Sequence, residues 1–166
     1  MTPRELAKGL RRAHRDRYGE VADRPDPDDA ESALAEAEDV LGFRLPKLIR
    51  VVHALAGPDF IDLSFGVEKY AERYSTDKAP NDPGYWPARM LPVKNLAGEV
   101  DWLCVDCAAG AGAVFAFYDD WDSGEPCWPG MFVEVAASLV EFLHAFVEGG
   151  EFPPGRADPD DPAGRP

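Results

Sequence analysis

The chain predicts an α+β domain: helices first, then a mixed, largely antiparallel sheet of about four to six strands, then one closing helix. Three observations carry that expectation. Residues 28–56 repeat apolar residues at helical spacing behind capping signals. Val100 to Tyr118 reads VDWLCVDC, AAGAG, AVFAFY, two β-branched and aromatic runs around a turn of small residues and Gly, the pattern of a β-hairpin with a longer loop. Leu139, Phe142, Leu143, Phe146 and Val147 make one apolar stripe of a last helix. Both hairpin arms are apolar almost throughout, so the hairpin belongs in the middle of the sheet.

The totals bound the class. At 166 residues and 45% hydrophobic, the chain suits one domain with a proper core, residues 28–150, flanked by segments 1–27 and 151–166. Its longest apolar run falls far short of the ~20 residues of a membrane helix, and no apolar signal segment follows Met1. The expectation is a cytoplasmic protein. The net charge is −14 and unevenly spread. Arg4, Lys8, Arg11, Arg12, Arg15 and Arg17 face only Glu5 and Asp16 within residues 1–18. From Asn95 to Phe152 there is no Lys or Arg, against acids from Glu99 to Glu151. Such a half repels nucleic acid and membranes and attracts basic proteins. Solubility alone is the plainer account of the same charge.

In chain order, residues 4–18 predict a basic helix with a thin apolar stripe of Leu6, Leu10 and Ala13, loosely docked. Its arginines suit an acidic partner or the protein's own acidic half; a solvated face is the alternative. Residues 23–29 are a Pro/Asp linker. Asp28 and Glu31 are spaced as a capping box for a helix burying Ala30, Ala33, Leu34, Ala37, Val40 and Leu41, with Gly42 as its stop. Pro46 opens the next helix, whose stripe is Leu48, Ile49, Val52, Leu55 and Ala56. Phe60 to Phe65 alternates and predicts a half-buried strand. Val67, Tyr70, Ala71 and Tyr74 predict a short helix, and residues 75–87 a loop. Met90 to Val93 predicts a strand that Pro92 confines to an edge or a bulge. After the hairpin come an acidic loop, a strand from Met131 to Val135, and a helix capped by Ser138 with Glu141. The helices are expected to cover one face of the sheet. Residues 153–166 have the composition of a disordered tail.

Candidate chemistry is thin. Cys104-x-x-Cys107 is half a zinc site, and residues three apart on a strand point to opposite faces. Three cysteines, an odd number, argue against a disulfide framework; small buried apolar residues are the better account. His53 and His144 fall beside the apolar stripes of their helices, flanking or exposed, and His14 sits in the basic segment. No nucleophile motif accompanies them. Asp119, Asp120, Asp122 and Glu125 resemble a calcium loop only loosely, and adjacent acids in a Pro/Gly loop stay wet rather than forming an acid–base pair. No catalytic residue, metal or cofactor is assigned. Together with Trp121 and Trp128, these acids offer contact area and steering for a protein partner; the alternative places one or both tryptophans in the core.

The run from Glu36 to Pro46, EAEDVLGFRLP, resembles the opening signature of the SUKH superfamily: an acidic helix, LG, one or two residues, then LP starting the next helix. Trp86-Pro87, Met90-Leu91-Pro92-Val93, the strand ending Cys104-Val105-Asp106, the strand Val114 to Tyr118 and the closing helix with Phe142-Leu143 follow in the family's order. Ala56-Gly57 stands where the family commonly has Asn-Gly. The likeness spans residues 28–150. The family is similar to fungal Smi-one/Knr-four cell-wall regulators and to bacterial immunity proteins that neutralise toxins, often nucleases. The resemblance implies a non-enzymatic, cytoplasmic α+β protein. The expected function is an immunity protein gripping a basic toxin domain through Asp119, Asp120, Trp121, Asp122, Glu125 and Trp128, with no nucleic-acid or membrane partner. A scaffold or regulatory module bound to a non-toxin partner is the second expectation, and a small metal-binding or hydrolytic protein the third.

Overall fold

The computed structural model describes residues 1–97, 101–108, 112–119 and 124–153. It is an α+β fold in the order α1 (Pro3–Tyr18), α2 (Pro27–Leu41), α3 (Lys47–Ala56), α4 (Leu63–Arg73), β1 (Met90–Ala97), β2 (Asp101–Asp106), β3 (Val114–Tyr118), β4 (Phe132–Ala136), α5 (Leu139–Val147). The four strands form one antiparallel sheet in sequence order, β1-β2-β3-β4.

Helix α1 is firmly seated, against the loose docking its thin stripe predicts. A capping box starts it, with Thr2 N–H donating to Glu5 Oε2 at 2.6 Å and Glu5 N–H to Thr2 Oγ1 at 3.3 Å. Leu6, Ala7, Leu10 and Ala13 are buried in the common core, and α1 packs on α3 and α5. The stripe looks thin because small residues make it. A Cβ at Gly9 would stand 3.2 Å from Val147 Cγ1, so Gly9 lets the two helices approach closely. Arg17 fastens the far end, donating Nη2–H to the Phe146 carbonyl at 2.6 Å.

The cap of helix α2 sits two residues before the expected one. Asp26 accepts from Asp28 N–H at 3.0 Å, with Pro27 at the first helical position, where its missing N–H costs nothing. Gly42 closes α2 in the left-handed region, φ 72°. In α3, Ile49, Val52 and Ala56 are buried as expected. His53 is buried too, against the flanking or exposed position expected for it. Residues 57–62 fold back over that flank, and its Nδ1 lies 3.2 Å from the Ile61 carbonyl.

Residues 60–65 form no strand. Asp62 instead caps α4, its Oδ1 accepting from Phe65 N–H at 3.1 Å, and the Asp62 N–H donates to the Val93 carbonyl at 2.8 Å. Alternation over so few residues does not separate a strand from a capped helix start. Helix α4 then lies along β1. β1 is an edge strand, its pairing shifted between Pro92 and Lys94, so Pro92 marks both an edge and a bulge.

The β2–β3 hairpin is the centre of the sheet, with five of six β2 residues buried. Trp102 pairs with Phe117, Cys104 with Phe115, and Phe117 with Phe132, all on one face. Trp86 lies against that face, ring centroids 5.8 Å from Trp102, 5.0 Å from Phe117 and 5.2 Å from Phe132. Its Nε1–H donates to the Met90 carbonyl at 2.8 Å, which satisfies a polar atom that burial would otherwise penalise. Leu103, Val105, Val114 and Ala116 occupy the other face, where Val105 borders an apolar cleft with Ile49 of α3 and Leu139 of α5. Cover is therefore two-sided, not confined to one face, because both arms of the hairpin are apolar on both sides. Ser138 caps α5 through Glu141 N–H at 3.2 Å, and Leu139, Phe142, Leu143 and Phe146 are buried. The expected disordered tail lies outside the described residues beyond Pro153.

Candidate functional site

The acidic loop is the sequence's candidate site; of its six residues Asp119, Glu125 and Trp128 are described, and Trp128 stands apart from the other two. Asp119 is not wet. It leaves the end of β3 and its carboxylate pairs with the Arg73 guanidinium on the last turn of α4, the two side chains 2% and 12% exposed. Arg73 is in turn held over the Trp102 ring at 5.2 Å and the Phe117 ring at 5.7 Å. A carboxylate enters such a place only with a partner, and the pair welds α4 to the strand end. Asp120, Trp121 and Asp122 lie outside the described residues. Glu125 is exposed, its backbone carbonyl accepting from Gly84 N–H at 3.1 Å. Asp119 and Glu125 line one cleft of about 290 Å³ together with Glu72, Arg73, Lys78 and Cys127. Trp128 does not join them. It is half-buried, with its ring 5.4 Å from Phe115 and 5.2 Å from Phe132, so it closes the aromatic layer over the sheet.

The cleft's chemistry is electrostatic. Of its two basic side chains, Arg73 is engaged by Asp119, and Lys78 Nζ lies 3.5 Å from the Gly84 carbonyl. Cys127 is its one thiol, and burial raises its pKa, which disfavours the thiolate a nucleophile requires. Cys104 and Cys107 are likewise free and buried; burial pushes Cys104 well up and Cys107 up to about 12. Among the described residues no group of three or more His, Cys, Asp or Glu is placed to hold a metal ion. No helix among them is long and apolar enough to cross a membrane.

The surface that remains available lies on β4 and the start of α5. β4 is the sheet's last strand, and no further strand pairs with it among the described residues. Val133 and Val135 are 54% and 40% exposed, and Val140, on the first turn of α5, is 49% exposed. Glu134 and Glu141 are exposed beside them. The alternation Val133-Glu134-Val135 carried the signal that these valines share a face. That the face looks outward follows only from β4 being at the edge. Arg73 was equally hidden, since nothing at residue 73 announces a partner near residue 119.

No family model, no curated protein and no solved structure matches this chain.

Proposed function

We propose that the chain is a non-enzymatic protein-binding module, an immunity protein that neutralises a basic toxin domain such as a nuclease. One observation carries the reading: the stretch from Asn95 to Phe152, without a single Lys or Arg, holds an edge strand with exposed Val133 and Val135, with Glu134 and Glu141 also exposed. Apolar contact area supplies affinity, and the surrounding acids steer a cationic partner. The β4 edge, unpaired by a further strand among the described residues, offers main-chain hydrogen bonds to an extended segment. A nuclease toxin has a basic substrate cleft, which an acidic surface of this kind complements. The resemblance of residues 28–150 to the SUKH superfamily points the same way. Of the six residues expected from the sequence, the proposed contact surface leaves out Asp119 and Trp128, which serve the core, and it adds Val133, Glu134, Val135, Val140 and Glu141.

The test is affinity capture from source-cell lysate at low and high salt, with wild type and with a Val133→Ser, Glu134→Gln, Val135→Ser variant. The expected result is a basic protein, toxic when expressed alone, that wild type retains at low salt and releases at high salt. The variant fails to retain it or to relieve its toxicity. Equal retention by the variant would remove β4 from the interface. A retained partner without toxicity would assign the scaffold reading instead.

A further inference from the structure

The basic residues of α1 gather around a groove of about 530 Å³ lined by Arg4, Lys8, Arg11, Arg12, Arg15 and Arg24, with Ala7 and Leu55. Arg11 is structural: its Nη1–H donates to the Ala22 carbonyl at 2.7 Å and the Ala56 carbonyl at 3.0 Å. That anchors the segment bearing Arg24 across from α1. The other five cations are exposed, and none makes an ion pair among the described residues. Among the described residues, the intramolecular pairing with acids that the sequence allows is not made at these five cations. Glu5, the acid nearest the start of the groove, is engaged in the α1 cap.

We propose that this groove binds an acidic polypeptide segment of a partner protein, a second interaction site of opposite sign to the β4 surface. The spacing fits. Residues 4, 8, 11 or 12, and 15 recur every three or four positions and form one row along the helix. The row is about 16 Å long at 1.5 Å per residue. An extended segment of about five residues has the same length, so its carboxylates meet successive cations. Five of the six basic side chains are arginines, whose planar forks bind carboxylates in bidentate fashion. The floor is apolar: Ala7 is buried and Leu55 half-buried, which suits an apolar side chain between acids. Other polyanions fit less well. Single-stranded nucleic acid is held by aromatic rings that stack its bases, and no ring lines this groove. Compact phosphate sites converge backbone N–H groups at a helix start, whereas this groove runs along the flank of α1.

The test is fluorescence anisotropy on the full chain with three probes: a labelled peptide alternating Glu and Leu, a labelled single-stranded oligonucleotide, and inorganic tripolyphosphate as competitor. Wild type is expected to bind the peptide with an affinity that falls as salt rises. Arg12→Glu with Arg15→Glu is expected to weaken it at least about tenfold. Both side chains are exposed, so folding is preserved, and Arg11 is left intact. Arg44→Glu, an exposed cation outside the groove, is expected to bind as wild type does. Absence of peptide binding, or equal binding by the double variant, overturns the proposal. So does oligonucleotide or tripolyphosphate binding without peptide binding. Concentration-dependent dimerisation abolished by the same two reversals would give the groove to a second copy and overturn the partner assignment.

Discussion

Arg73 and Asp119 show how one ion pair takes an acid out of water. Both are largely out of water, so neither is free to steer a partner, and each depends on the other. Asp119→Ala is expected to lower the urea midpoint, because it removes the carboxylate that pairs with the Arg73 guanidinium over Trp102 and Phe117. Arg73→Met combined with Asp119→Leu is expected to lose much less, since that variant leaves no buried charge behind. The thiols make a second prediction. Cys107 has its pKa raised from 9.0 to about 12 by burial. Across that interval the folded chain keeps a proton that the unfolded chain has lost. Its contribution to stability is complete below pH 9.0 and is lost as pH rises toward 12. The urea midpoint is expected to fall over that range, and Cys107→Ala to flatten the fall.

At the scale of elements, α4 against β1 is the tightest junction. A Cβ at Gly66 would run into the Pro92 carbonyl oxygen, a backbone atom that cannot swing away. Gly66→Ala is expected to destabilise by about 1–3 kcal/mol, read as a lower urea midpoint, by forcing α4 off the strand. That contact also marks the limit of what sequence conveys. The α3 and α5 stripes, the Gly42 stop, the Ser138 cap and the central hairpin were legible, because period and capping are local physics, and so was the α2 stripe save for Val40, which is 62% exposed and not buried. Residues 60–65 were not: Asp62 acts as a cap only with β1 alongside to take its N–H. Nor was the seating of α1, where Ala7, Gly9 and Ala13 gain value only from the neighbours that approach them. The candidate site was the least legible part. An acid beside a Trp reads the same whether it faces solvent or an arginine forty-six residues away in the chain.

For the whole molecule, charge distribution matters more than total charge. At −14 the folded state repels itself, so Tm is expected to rise as salt is raised from low to physiological levels, followed by differential scanning fluorimetry. The same salt is expected to weaken binding at both the β4 surface and the α1 groove, a stability and an affinity moving in opposite directions. The sheet has a further asymmetry. On the β1 side, Pro92 lacks an N–H, the pairing shifts register, and α4 lies alongside; on the β4 side no further strand pairs among the described residues. Growth by strand addition therefore has one permitted direction. A second copy joining there would meet β4 with β4 and leave two blunted ends facing outward, so the process stops at a pair. Pairing through one end alone is self-limiting.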